Sequence, residues 1–217
     1  MTFQSKVNRQ YTTGFPGELW KDGPTRAKPG RIASASVGAD PAASTNRISR
    51  AFGFTADVPA SGSQSNPNYA TRAAIEGSVS VGGPVFYGIL GHPKHYALFG
   101  SVAGSLSPSM DLPQGSEAEF FDMATGLIVE LFNETTAVKA VAFGDQLAYA
   151  ANTITALENP QVLPYGALIS VPAGDAAPDG FVLIPNARIV NPISLAASTA
   201  GGGAGLIAGY TVVQLTQ

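Results

Sequence analysis

The 217-residue sequence contains no cysteine, which excludes a disulfide framework, a thiolate nucleophile and any Cys-ligated zinc or iron–sulfur site. Charge is scarce as well. Asp, Glu, Lys and Arg make up 12% of the residues, where an ordinary soluble domain carries about 25%. With 45% hydrophobic residues, the chain cannot be a charged, disordered tail and has enough apolar material for a sizeable core. Long apolar runs are missing too. Residues 189–217 carry no charge, but Asn191-Pro192, the glycine cluster at 201–205 and Gln214 interrupt them, leaving stretches well short of the ~20 residues of a membrane-spanning helix. No membrane segment is expected, and 206–215 reads as a final strand. The first residues lack the apolar region of a signal peptide, so the expected compartment is the cytoplasm of the producing cell.

Signals for catalysis are equally thin. The two histidines stand in His92-Pro93-Lys94-His95; the proline opposes a helical face and no third ligand follows, so a surface loop is expected and no metal. No Gly-x-Ser-x-Gly elbow occurs. The cluster at 201–205 lacks the Lys-Ser/Thr of a phosphate loop. Asp111, Glu117, Glu119, Asp122, Glu130 and Glu134 concentrate acid in one region, but strand alternation places Glu117 and Glu119 on one face, as a solvated edge would. No catalytic residue and no cofactor are expected.

What the chain has in quantity is glycine (25) and proline (16), which disfavour helices and suit short strands between turns. From residue 70 onward short runs alternate with Gly/Pro/Asn punctuation. The expected strands are 75–81, 85–90, 96–102, 118–123, 126–132, 137–143, 147–151, 168–171, 180–184, 188–192 and 206–215, with 48–54 before them. The run 116–124 could alternatively be a short helix with Ser116 as N-cap and Glu119 at N3. The fold class is therefore all-β: a β-sandwich or barrel-like body of short antiparallel strands over 47–217, with a loop insert at 57–68, behind a long extended N-terminal arm.

That arm, residues 1–46, is basic. Residues 1–72 hold nine Lys/Arg against four acids, net +5, and 73–217 hold three against eleven, net −8. The overall charge of −3 lacks the electrostatic footprint of a nucleic-acid binder. Along the arm, Phe3, Val7, Tyr11, Phe15, Leu19 and Trp20 are apolar anchors spaced by Gly, Pro and basic residues. An arm cannot bury these against itself, so they dock on the body, a sister subunit or another protein.

Several stretches carry a resemblance. Met1-Thr2-Phe3-Gln4-Ser5-Lys6-Val7 is followed by Gly14-Phe15-Pro16-Gly17-Glu18; then come Asn46-Arg47-Ile48-Ser49-Arg50-Ala51-Phe52 and Val85-Phe86-Tyr87-Gly88-Ile89-Leu90-Gly91-His92-Pro93-Lys94-His95-Tyr96-Ala97. Leu112-Pro113-Gln114-Gly115 and Phe143-Gly144-Asp145 follow. In this order, over residues 1–150, they resemble the structural cement (capsid decoration) proteins of tailed bacteriophages. The resemblance implies a non-enzymatic virion protein on the capsid exterior that binds the outer shell and bridges neighbouring copies of the major capsid protein. It implies self-association too, a homotrimer in preference to a dimer. Phe3, Val7, Tyr11, Phe15, Leu19 and Trp20 would then fill pockets on neighbouring subunits, and Lys6, Arg9, Lys21, Arg26, Lys28 and Arg31 would meet acidic surface. The rival reading is a tail-associated carbohydrate-binding or adhesion β module using the loops 91–97 and 172–180, in which Tyr96 is the only aromatic residue.

Overall fold

The computed structural model describes residues 14–32, 46–54, 78–92, 111–112, 117–135, 137–151, 163–197 and 207–216. Eleven strands form there, most of them from runs rich in β-branched and aromatic residues. They are β1 Thr25–Ile32, β2 Ala51–Phe54, β3 Ser78–Val81, β4 Val85–Leu90, β5 Glu117–Phe132, β6 Lys139–Val141, β7 Gln146–Ala150, β8 Leu168–Val171, β9 Phe181–Ile189, β10 Ile193–Leu195 and β11 Ile207–Leu215. No helix occurs among the described residues, so the fold is all-β.

Individual strands depart from expectation. The two strands at 118–123 and 126–132 are one, the sixteen-residue β5. Its first half alternates buried with less buried positions at period two and pairs with β1, which also overturns the helical alternative for the described part of 116–124. The strands at 180–184 and 188–192 fuse into β9, which runs through Pro185 and Asn186, the latter at φ 54°. The strand at 137–143 shortens to β6. The one at 96–102 lies outside the described residues.

The pairings close on themselves twice. β1, β3, β2, β4 and β5 are neighbours in that order, and β5 returns to β1; β5, β11, β9, β7 and β8 follow, and β8 returns to β5 at Leu131↔Leu168. Two five-stranded, barrel-like rings thus share β5. Not every pair is antiparallel: β1–β3 and β5–β8 run parallel.

Each ring has its own interior. The first encloses Phe52, Val79, Val81, Leu90 and Phe120, with Phe120 5.1 Å from Phe52 and 5.6 Å from Tyr87 between ring centroids. Residue 88 must be glycine for β4 to lie this close, because a Cβ there would stand 2.8 Å from that of Phe120. The second ring encloses Leu127, Val129, Leu131, Leu147, Tyr149 and Val213. Each fully buried side chain of this size contributes about 1.5–3 kcal/mol. β5 serves both interiors because it is bulged. Phe121, Ala124 and Leu127, three residues apart, reach one cluster since a register irregularity falls within each interval.

The segment before β2 locks the rings together. Ser49, at φ 71°, accepts a hydrogen bond on its Oγ from the Glu130 amide of β5 at 2.8 Å, and its own amide donates to the Leu90 carbonyl at 2.9 Å. Arg47 grips the buried Glu130 carboxylate with two bonds, Nε to Oε2 at 3.1 Å and Nη2 to Oε1 at 3.0 Å. Arg50 is buried and lies over the Phe132 ring at 4.4 Å. Its Nε and Nη1 have no hydrogen-bond partner among the described residues. Burial, partly countered by Glu130, pulls its pKa down to about 10.

Candidate functional site

The described part of the basic segment is not loose. Phe15-Pro16-Gly17-Glu18 forms a turn closed by the Glu18 amide donating to the Phe15 carbonyl at 3.1 Å. Proline then glycine at its centre, with Gly17 at φ 81°, is the type II signature. The Glu18 carboxylate latches the turn by accepting the Phe15 amide at 3.0 Å. Any side chain at 17 would collide with Ile48 Cγ2 at 2.5 Å and the His92 nitrogen at 2.8 Å, so the turn seats against the Arg47–Arg50 segment and the end of β4.

From that turn the chain runs antiparallel along one edge of β5. Gly17 N–H donates to Ile128 O at 2.8 Å, Ile128 N–H to Glu18 O at 2.9 Å and Trp20 N–H to Gly126 O at 2.9 Å, with Leu19 bridged to Leu127. After 21–24, β1 continues the same path, from Thr25↔Ala124 to Arg31↔Glu117. The backbone over 17–32 is therefore held almost throughout. The large side chains around the turn are exposed instead: Phe15 is 64% exposed, Trp20 46% and Leu19 36%. Lys21 places its Nζ 4.7 Å over the Trp20 ring. This makes a ledge of aromatic and cationic groups on a fixed backbone.

Beside the ledge, cations of β1 turn inward. Arg26 binds Asp122 through Nε to Oδ1 at 2.9 Å and Nη2 to Oδ2 at 2.6 Å. Lys28 reaches the same Oδ2 at 2.9 Å and lies 4.4 Å over the Tyr87 ring. The Tyr87 hydroxyl donates to the Pro29 carbonyl at 2.6 Å. Asp122 has a side chain only 1% exposed. Burial alone would raise its pKa, but hydrogen bonds from Arg26 and Lys28, with their charges, win and hold it below the ordinary carboxylate value. The Asp122 contribution is therefore complete above the unfolded pKa of about 3.9 and lost as pH falls through the lower folded value. The expected result is that protection of the β1 amides, corrected for the intrinsic exchange rate at each pH, falls below about pH 4. The melting-temperature gap between wild type and Asp122→Asn should close over the same range. A gap independent of pH would contradict this role for Asp122.

The twelve arm residues singled out from sequence thus separate. Phe3, Lys6, Val7, Arg9 and Tyr11 lie outside the described residues. Phe15, Leu19, Trp20 and Lys21 come together on the ledge. Arg26 and Lys28 are engaged by Asp122 of the same chain, and Arg31 is exposed at the far end of β1. Glu18, Asp122 and Tyr87, which hold the ledge and β1 in place, were not singled out as partners; nothing in a single sequence links Arg26 to an acid 96 positions away. Of the histidines, His92 stacks loosely on Phe15 at 6.4 Å, and His95 lies outside the described residues. No group of His, Cys, Asp and Glu suited to a metal ion occurs among the described residues. The described loop 172–180 contains no aromatic side chain.

Comparison with known proteins identifies a family and a similar solved structure. A family model described as "Structural cement protein (E217 gp24/Pam3 gp6)" matches residues 3–214. A chain from the solved structure titled "The capsid of Myoviridae Phage XM1" aligns over 100% of this chain and 99% of its own, with 13% sequence identity and a TM-score of 0.49. No curated protein matches the sequence.

Proposed function

Because this chain belongs to the structural cement protein family, a structural and non-enzymatic role in the phage virion is its starting point, and we propose that it binds the outside of the shell and fastens neighbouring copies of the major capsid protein. The observation that carries this reading is the ledge: Phe15, Leu19, Trp20 and Lys21 are exposed on a backbone fixed to β5. Solvent-facing aromatics on an ordered backbone are what an interface needs, since little conformational freedom is lost when they enter a pocket. The partner surface they fit is an apolar cleft rimmed with acid, which would take Lys21. Residues 1–13 carry further anchors, Phe3, Val7 and Tyr11, with Lys6 and Arg9. Used together with the ledge, they give one copy two footholds, and the second binding event gains from high effective concentration.

Quantitative peptide mass spectrometry on gradient-purified particles tests this reading. A copy number comparable with that of the major shell protein is expected. A handful of copies per particle, or none, would overturn it.

A further inference from the structure

β6 and β10 form a two-stranded ribbon, paired from Ile193↔Val141 to Leu195↔Lys139, that belongs to neither ring. Polar ties fasten it to the rest of the fold. Asn133, just past β5, donates from Nδ2 to the Ala137 carbonyl at 2.6 Å and to the Ala196 carbonyl at 2.8 Å, on the flanks of the two ribbon strands. That tie is complete, because Asn133 Oδ1 accepts the Thr135 amide at 3.0 Å and the Thr135 hydroxyl at 2.8 Å. A further tie starts from Lys139, the first residue of β6. Its Nζ binds Glu134 Oε1 and, at 2.6 Å, the Ser170 carbonyl of β8. With side chains 17% and 13% exposed, Lys139 and Glu134 are largely out of solvent, and Ser170 is buried. This tie is incomplete. Glu134 Oε2 and Ser170 Oγ are both buried with no hydrogen-bond partner among the described residues.

The two open atoms belong to one place. Oε2 is the second oxygen of the carboxylate that holds Lys139 Nζ, and Oγ sits on the residue whose carbonyl holds it. The ammonium itself has a proton to spare. A group that completes the tie must donate to a carboxylate oxygen and share a hydrogen with a hydroxyl. Charge narrows its chemistry, since Glu134 repels an anion and Lys139 repels a cation. Burial narrows its size. We propose that one buried water is a fixed part of this fold, bridging Glu134 Oε2 and Ser170 Oγ beside Lys139 Nζ. Water both donates and accepts, and buried waters typically make about three hydrogen bonds to polar groups that the chain itself leaves unmatched. Without it both atoms would bear the full cost of desolvation. With it, the ribbon is joined to β8 by one continuous network through Lys139, Glu134 and Ser170.

A high-resolution crystal structure of the isolated protein tests the site directly. One ordered water is expected about 2.5–3.0 Å from both Glu134 Oε2 and Ser170 Oγ. Direct contact between those two atoms, another protein partner for Oγ, or no density between them would overturn the proposal. The sign of a single substitution gives an independent reading in solution. If Oγ belongs to a water bridge, Ser170→Ala takes a bond out of the network, and the melting temperature is expected to fall by a few degrees. If Oγ is simply unpaired, alanine removes a desolvated hydroxyl that nothing satisfies, and the melting temperature stays level or rises. Either of those last outcomes would count against the water. Both measurements are made without the shell, so they stand or fall separately from the cement reading.

Discussion

Replacing Phe15 and Trp20 together by alanine is expected to strip the protein from the shell while its folding stability stays within about 1 kcal/mol of wild type. The two halves of this result have different causes. Both side chains are substantially exposed, and the seating of their segment resides in the backbone bonds of Gly17, Glu18 and Trp20 with β5, which alanine preserves. In an interface, aromatic anchors that enter desolvated pockets lose about 2 kcal/mol or more each on truncation. Two such losses weaken a single contact by roughly a thousand-fold. The measurement is occupancy of purified, stripped shells re-incubated with wild-type or variant protein, beside thermal melts of both. Wild-type occupancy by a folded double variant would remove the ledge from the shell contact.

The largest effect on folding is expected at Arg47. Its guanidinium is the two-bonded partner of Glu130, whose side chain is 1% exposed in the middle of β5. Arg47→Ala leaves a buried carboxylate without that partner, a change that typically costs about 3–5 kcal/mol, or roughly 6–20 °C in melting temperature for a chain of this size. Arg50 supplies the control three residues on. It is buried as a cation with two nitrogens unpaired among the described residues, so Arg50→Met removes a desolvated charge, keeps contact with Phe132 and loses no hydrogen bond to a described residue at those atoms. It should melt at or above the wild-type temperature. Equal loss from both substitutions would mean that bulk at the turn, not the Arg47–Glu130 pair, holds it.

The contrast between these arginines shows what the sequence could and could not disclose. The all-β class was legible because glycine and proline punctuate short runs of β-branched and aromatic residues, and the expected strands 85–90 and 168–171 have the observed bounds of β4 and β8. β1 was not legible. Thr-Arg-Ala-Lys-Pro-Gly-Arg-Ile has no apolar alternation, and it is a strand because β5 offers it an edge and Asp122 captures Arg26 and Lys28. β5 itself reads as two strands because the small residues Ala124-Thr125-Gly126 interrupt the larger side chains on either side. On the ledge, Phe15, Leu19 and Trp20 were visible as anchors without a local core. Their fixed backbone was not visible, since it depends on bonds to residues more than a hundred positions away.

The path of residues 17–32 along β5 also determines how the molecule responds to a mechanical load. The segment runs antiparallel to β5, and its bonds lie across the strand direction. Tension applied through the residues before Gly14, along the strand axis, strains those bonds side by side; they must fail together. The same force directed away from the sheet would break them one at a time. A shell-bound segment pulled in line with β5 is thus a shear joint, anchored in the one strand both rings share, and a straining shell would load both cores at once.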